Sequence, residues 1–487
     1  MTVKEKLTKK AVLIDLMLFL LNVILLLAIA FLMIELNQNA HAIEYIRNDP
    51  SKVVFVVATV LFLSVLTFGY LYFESVFVLT NILKLIEMFV LLDISLFLSF
   101  VFGKYLNPAA RPFGFFAIMC AMLLGRREAM FLNIINALLI FVMDININLT
   151  EFASADMWQY CAGLLITFCA GTTVVFVSHK IKTRLQSILI VFLLLVPIEL
   201  IIGIMQILFT VGESGARQWI LLGYGALGAL FSTLLFMVLL PVFELSFAEL
   251  TVFRLREITA PSAPLIKKLK EQAPGTYNHS VVVSQLAEAC AIAIGEDSEL
   301  ARAAAYYHDV GKLVKPEMFT ENQSDYNVHN ELSPELSADI IRSHTRDGAK
   351  LIKKQHLPEF LSDIAIQHHG TLPIKYFYAK ALKMTDGEIS MANYSYTGPV
   401  PQTRIAAIIM IVDAAEAATR SLANRTPANI EKLVGSLIEE RINLDQFVDC
   451  NITMRDLTII THTIAQSLSG VYHSRISYPK IKIGKKN

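Results

Sequence analysis

The first 245 residues are a succession of long apolar runs, more than any water-filled surroundings would let a chain of this length bury. A helix rises about 1.5 Å per residue, so crossing a hydrocarbon core of about 30 Å takes about 20 apolar residues. Runs of that order lie near 11–34, 52–74, 79–102, 112–125, 129–144, 157–178, 185–209 and 218–243. The fourth and fifth are the shortest, and read either as two crossings or as one broken or re-entrant hairpin. Backbone groups in lipid must bond internally, which makes these runs helices.

Composition divides the chain the same way. Of 487 residues, 55% are hydrophobic and only 17% charged, outside the soluble globular range, and nine of the eleven histidines lie beyond residue 270. Two solvents shaped two halves. The pattern predicts an all-α protein: a tail at 1–10, a polytopic transmembrane helical bundle at 11–243, a connector at 244–270 and a helical domain at 271–480. Net charge is zero, so no basic surface recommends nucleic acid as a bulk partner. Five scattered cysteines, with no C-x-x-C pair and three inside apolar runs, read as reduced packing residues.

Charge also sets the expected topology. Lys4, Lys6, Lys9 and Lys10 place the N-terminus in the cytoplasm, and eight crossings return the chain there. The same arrangement puts Arg126, Arg127, Lys180, Lys182, Arg184, Arg254 and Arg256 inside and the acidic loop from Asp144 to Asp156 outside. A cleaved signal peptide is not expected, because the first run exceeds a typical h-region and no small-residue cleavage site follows it. Asp93, with Lys84 and Glu87 on the same run, is the most conspicuous polar group at membrane depth. A ligand or ion pocket is one reading; the favoured one pairs Lys84 with Glu87, three residues apart, and hydrogen-bonds Asp93 inside the bundle.

Beyond the prolines and lysines of the connector the apolar period turns helical, over 280–294, 298–307, 335–354, 359–368, 404–422, 428–441 and 454–472, with weak strand signals. On these helices stand His279 in YNHS, His308 and Asp309 in YYHDVGK, His344 in RSHTRDG, His368 and His369 in IQHHG, and Asp413 in IVDAAEA. Five imidazoles and two carboxylates without a thiolate suit iron, manganese or zinc in a catalytic site and disfavour structural zinc. Seven ligands exceed what one six-coordinate ion leaves open for substrate. They predict two ions about 3.5–4 Å apart with a bridging carboxylate, and Asp309 is the natural bridge. Neighbours on a helix point about 100° apart, so each doublet can embrace an ion pair from one turn. A lone histidine is ordinarily a surface or core residue; seven ligands in this order, two of them doublets, are not. His329, His356, His462 and His473 take that ordinary reading. Such a site implies a metal-activated hydroxide attacking phosphorus in line, with no protein nucleophile.

The order H…HD…H…HH…D resembles the HD-domain phosphohydrolase superfamily. Its wording is similar to one branch, the membrane-embedded PgpH-type (7TM-HD) cyclic-di-AMP phosphodiesterases: APGTYNHSVVVSQLAEA, YYHDVGK, ENQ, SHTRDGAKL, QHHGT, KYFY, TGPVPQT, VDAAEAATRSL and VYHSRISYP. The resemblance implies a cytoplasmic HD domain on a multi-pass bacterial cell-membrane protein, in which all seven residues bind two divalent metal ions, manganese or iron. It implies hydrolysis of cyclic-di-AMP to linear pApA, with Asp309 and Lys312 as catalytic residues. Lys312, one turn after Asp309, would reach a phosphate oxygen; an exposed lysine at a helix end is the competing reading. The partners implied are a cyclic dinucleotide and membrane lipid, with room for a homodimer. One departure is plain: the branch usually carries a large extracytoplasmic domain after its first span, where this chain has only about 35–51. HHGTLPIKYF lacks the G-Y-P signature of cyclic-di-GMP hydrolases. A nucleotidase, an alarmone hydrolase or a non-hydrolysing nucleotide receptor stay as alternatives.

Overall fold

The computed structural model describes residues 9–37, 43, 47, 50–148, 158–209, 215–323, 326–384 and 388–471. Lys4, Lys6, most of the 35–51 loop, residues 149–156 of the acidic loop and His473 lie outside the described residues. Among the described residues every regular element is helical, and the one β-type pairing is an isolated bridge between Pro373 and Ser395. The chain forms two compact units, Met1–Phe253 and Arg254–Asn487, dividing inside the stretch expected to be a connector.

The first unit contains α1 (Lys9–Asn37), α2 (Pro50–Glu74), α3 (Ile82–Tyr105), α4 (Phe115–Leu123), α5 (Arg126–Asn148), α6 (Trp158–Ser178), α7 (Ile190–Phe209) and α8 (Gly215–Ser246). Among the described residues seven helices, all but α4, are long and apolar enough to cross a membrane. The fourth expected span, 112–125, differs. Pro108 opens a 3₁₀ turn and Pro112 holds Arg111 extended at ψ 149, so helix begins only at Phe115. Nine residues of helix rise about 13.5 Å, less than half a hydrocarbon core.

The segment nevertheless runs back along α3. A Cβ on Gly103, near one end of α3, would lie 2.5 Å from the Arg111 guanidinium. Near the other end, Lys84 Nζ donates to the Leu123 carbonyl at 2.6 Å. Between those points α4 packs against α3, α5, α6 and α8, and Phe115 to Cys120 are all buried. An all-round apolar helix is stable only in such a position.

Polar groups tie these helices in pairs. Lys84 Nζ lies 3.7 Å from Glu87 and contacts Glu249, and Asn22 donates to both Asp93 oxygens at 3.3 Å, as the favoured sequence reading requires. Arg111 grips Asp144 with both Nη atoms, Nη2 to Oδ1 at 2.7 Å. One end of the bundle gathers Arg127 with Glu74, Arg126 with His179, and Arg184 with Glu244.

The second unit contains α9 (Pro264–Gln272), α10 (Pro274–Ile294), α11 (Ser298–Tyr307), α12 (Pro334–Lys354), α13 (Glu359–Gln367), α14 (Lys375–Met384), α15 (Arg404–Arg420), α16 (Pro427–Asn443) and α17 (Met454–Val471). Asp297, Ser333, Thr403 and Thr426 cap α11, α12, α15 and α16 by accepting from a backbone N–H of the first turn. Helix α15 is the axis: Ile405 to Val412 are all buried, and α10, α11, α13, α16 and α17 pack around it. The apolar period located all of these but α9 and α14; α14 packs Phe377 and Ala381 into a satellite core with Ala338 and Tyr394.

Candidate metal centre

The seven residues singled out in the sequence converge in the second unit, in two groups. His344, His368 and His369 form one; His279, His308, Asp309 and Asp413 form the other, and within each the candidate ligand atoms all lie within 4.8 Å of one another. The doublets are not placed as expected. His308 and His368 are the C-cap residues of α11 and α13, so Asp309 and His369 stand just beyond helix ends instead of within a turn.

That placement has a chemical use. The last carbonyls of a helix lack intrahelical donors. His308 Nδ1 donates to the Ala305 carbonyl at 2.6 Å and His368 Nδ1 to Ala365 at 2.9 Å. His344, inside α12, does the same to Ile341 at 2.5 Å. A proton fixed on Nδ1 leaves Nε2 as a lone pair, the tautomer a metal ligand needs. His279 is held by a side chain: its Nδ1 lies 2.7 Å from Glu416 Oε2, and Arg420 Nε donates to Glu416 Oε1 at 2.7 Å.

Asp309 lies between the groups. Its Oδ1 is 3.3 Å from His344 Nε2 and 3.7 Å from His368 Nε2, and its Oδ2 is 3.3 Å from His308 Nε2 and 3.9 Å from His279 Nε2. Asp413 Oδ1 lies 2.9 Å from His279 Nε2, and its Oδ2 3.9 Å from His369 Nδ1. The loop after α11 is pressed against α12 by Gly311, where a Cβ would meet the His344 carbonyl at 1.9 Å. Only glycine brings the HD turn so close to the next ligand.

Electrostatics favours a cation. Burial pushes Asp309 up, but Lys312 and His308 outweigh it and hold the carboxyl well below its usual range. Burial lowers His344 to about 4, and burial with His368 lowers His369 further, so both rings are neutral. His308 Nε2 and Asp309 Oδ1 are buried without a hydrogen-bond partner, a costly state for polar atoms that a coordinated cation would relieve. Imidazole nitrogens, carboxylate oxygens and no sulfur fit divalent metal at both groups; burial lowers His308, but Asp309 and Asp413 more than reverse that and raise it to about 10, a proton that a bound cation would displace.

Lys312 is not the exposed lysine of the competing reading. Its side chain is 14% exposed, and Nζ lies 2.8 Å from both Asp309 Oδ2 and Glu321 Oε1. Burial lowers its pKa, and the two carboxylates more than reverse that. Beside it opens a cleft of about 330 Å³ lined by His279, His369, Asp413, Glu416, Arg420 and Glu321.

The sequence reading missed Glu416, Arg420, Glu321 and Tyr396. Tyr396 stacks on His369, ring centroids 4.3 Å apart, because the bridge at Pro373 and Ser395 and the bond from its N–H to the Leu372 carbonyl carry it back beside the histidine doublet. Glu416 was the most findable, three residues after Asp413 on one helix face. His329 takes the ordinary role, buried with Nε2 on the Met318 carbonyl at 2.8 Å, and His356 and His462 are outside the centre.

The HD domain family model matches residues 276–418. The protein named Cyclic-di-AMP phosphodiesterase PgpH from Listeria monocytogenes is 47% identical over 262 residues, 54% of this chain and 36% of the relative. The protein of the same name from Bacillus subtilis is 38% identical over 379 residues, 77% of this chain and 51% of the relative. The chain thus spans about a third to a half of the length of these curated relatives. A crystal structure of the L. monocytogenes PgpH HD domain in complex with Cyclic-di-AMP is 49% identical, covering 44% of this chain and 100% of that one, with a TM-score of 0.42. With its seven long apolar helices among the described residues, its HD domain and relatives at 38% and 47% identity, the chain belongs to the PgpH-type branch of the HD family.

Proposed function

We propose that this protein is a phosphodiesterase that hydrolyses a cyclic dinucleotide, cyclic-di-AMP, to linear pApA. The observation that carries the reading is the division of Asp309 between the two groups, one oxygen 3.3 Å from His344 and the other 3.3 Å from His308. His344, His368 and His369 would hold one divalent ion, His279, His308 and Asp413 the other, with Asp309 bridging. Manganese or iron bound there supplies Lewis acidity toward the phosphate oxygens and a water acidic enough to attack phosphorus as hydroxide. The protein's own part is to fix the imidazoles by their Nδ1 bonds, to keep Asp309 ionised through Lys312, and to offer Lys312 to a phosphate oxygen at the cleft. The adenine assignment is supported by the names of the two relatives, whose identity to this chain extends over the catalytic half.

The same proposal makes 1–10 a cytoplasmic tail, 11–243 the membrane region, 244–270 a connector and 271–480 the catalytic domain, with both chain ends on the cytoplasmic side of a bacterial cell membrane. The course of α4 supports the topology, since it returns the chain from one end of α3 to the other and makes the crossings even. Lipid would meet the exposed apolar faces of α1, α2 and α7, where Leu20, Val65 and Ile207 are 60%, 70% and 75% exposed. A homodimer is compatible with this reading. The test is hydrolysis of cyclic-di-AMP, cyclic-di-GMP and mononucleotides by the purified full chain with manganese or ferrous iron. Metal-dependent opening of cyclic-di-AMP to pApA is expected; tight nucleotide binding without turnover would replace the enzyme with a receptor.

A further inference from the structure

Four of the five imidazoles at the centre are oriented by a hydrogen bond at Nδ1: His308, His344 and His368 on backbone carbonyls, His279 on Glu416. His369 is held by other means. Asp413 Oδ2 stands 3.9 Å from its Nδ1, beyond hydrogen-bond length, and among the described residues no hydrogen bond orients the ring. We infer that Tyr396 positions His369 for its metal ion, its ring stack taking the place of that hydrogen bond, with Gln446 fixing the backbone between the two. The assignment rests on the function proposed above and adds two residues to the apparatus that holds one of its ions.

The chain path after His369 is built to keep the stack. Helix α13 ends at Gln367, and the chain turns at Gly370, whose φ of 50° side chains rarely adopt and whose Cβ would run into Gln446 Oε1. Gln446, buried beyond the end of α16, accepts from the Thr371 N–H at 3.0 Å and donates to Thr371 Oγ1 at 2.8 Å. Just past that clamp the Tyr396 N–H donates to the Leu372 carbonyl at 3.0 Å, and the Ile374 N–H to the Tyr394 carbonyl at 2.7 Å. The turn that carries the imidazole and the segment that carries the phenol are therefore tied to each other by backbone.

The rings complete the arrangement. Tyr396 lies against His369 with centroids 4.3 Å apart and planes 29° from parallel, and meets the His344 ring at 86° and 6.0 Å. It thus touches two of the three imidazoles of one group. A stack of this kind restrains rotation of the imidazole without engaging either nitrogen. A bond from Nδ1 to a carbonyl settles the tautomer in advance; the stack fixes the plane and leaves the tautomer to the cation. The flat ring does this work and the hydroxyl is not needed, so phenylalanine should serve at this position and leucine should not.

The experiment titrates the metal-free full chain with manganese against a chelating dye, beside Tyr396→Phe, Tyr396→Leu and Gln446→Met, the last a side chain of similar length without the amide. Circular dichroism is recorded on each preparation, and hydrolysis of cyclic-di-AMP is followed at limiting and saturating metal. The inference predicts that Tyr396→Leu weakens one of the two ions roughly tenfold or more, the loss typical when the group orienting a ligand histidine is removed, and leaves the other nearly unchanged. Gln446→Met weakens one ion in the same way, and Tyr396→Phe binds both as the unaltered chain does. Saturating manganese restores most of kcat to Tyr396→Leu, with KM for cyclic-di-AMP near that of the unaltered chain. Unchanged metal affinity in Tyr396→Leu would overturn the inference. So would equal losses in Tyr396→Phe and Tyr396→Leu, which would move the role to the hydroxyl. Should Tyr396→Leu lose its helices, Gln446→Met decides, and intact affinity there overturns the inference. An unaltered chain that binds no pair of ions defeats the proposed function itself and takes this inference with it.

Discussion

The two units bury ionisable side chains in opposite ways. In the first unit they stand singly or in small local ties, as Arg111 with Asp144 and Asn22 with Asp93. In the second unit seven of them converge in two groups, within each of which the candidate ligand atoms lie within 4.8 Å of one another. A pair neutralises itself and holds a fold together. A cluster with surplus lone pairs needs a cation, and that need is what separates a functional site from a structural tie.

Three substitutions sharpen the contrast. The largest effect is expected from His308→Ala with Asp309→Ala, which removes the bridge and one ligand. Losing about 4 kcal/mol or more of transition-state charge stabilisation cuts the rate roughly a thousandfold, while circular dichroism shows the helices intact. Retained turnover would end the two-metal account. Next is Arg111→Met, which strands a buried carboxylate. Removing one partner of such a pair costs about 3–5 kcal/mol, so the detergent-solubilised chain should melt many degrees lower, yet each folded molecule should bind as much metal as before. Loss of metal instead would show that the two units are not independent in this respect. The smallest is Glu416→Gln, which keeps the shape but weakens the grip on His279; a change of this kind typically costs 10–100-fold in metal affinity, readable by competition with a chelating dye. Unchanged affinity would make the Glu416 contact incidental.

The seven candidate ligands were legible in the sequence because they include two doublets and are of residue types with few other uses together. Most of the helices were legible from their apolar period. What stayed hidden depends on chain path. Glu416 looks like any helical glutamate until α15 is laid beside α10, and Tyr396 reaches His369 only through the excursion that begins at Pro373. Helical spacing alone puts each doublet within one turn, whereas both sit at helix ends whose spare carbonyls orient His308 and His368. The fourth span was misjudged in length because hydropathy counts residues, while Pro108 and Pro112 decide where helix can start.

The most direct test of the central claim is a count of metal in the purified full chain by inductively coupled plasma mass spectrometry, before and after chelation, with hydrolysis of cyclic-di-AMP followed on the same samples. The account predicts two divalent ions per chain, both required for turnover, with chelation abolishing activity and manganese or iron restoring it. Turnover that persists in a chain stripped of metal would contradict it.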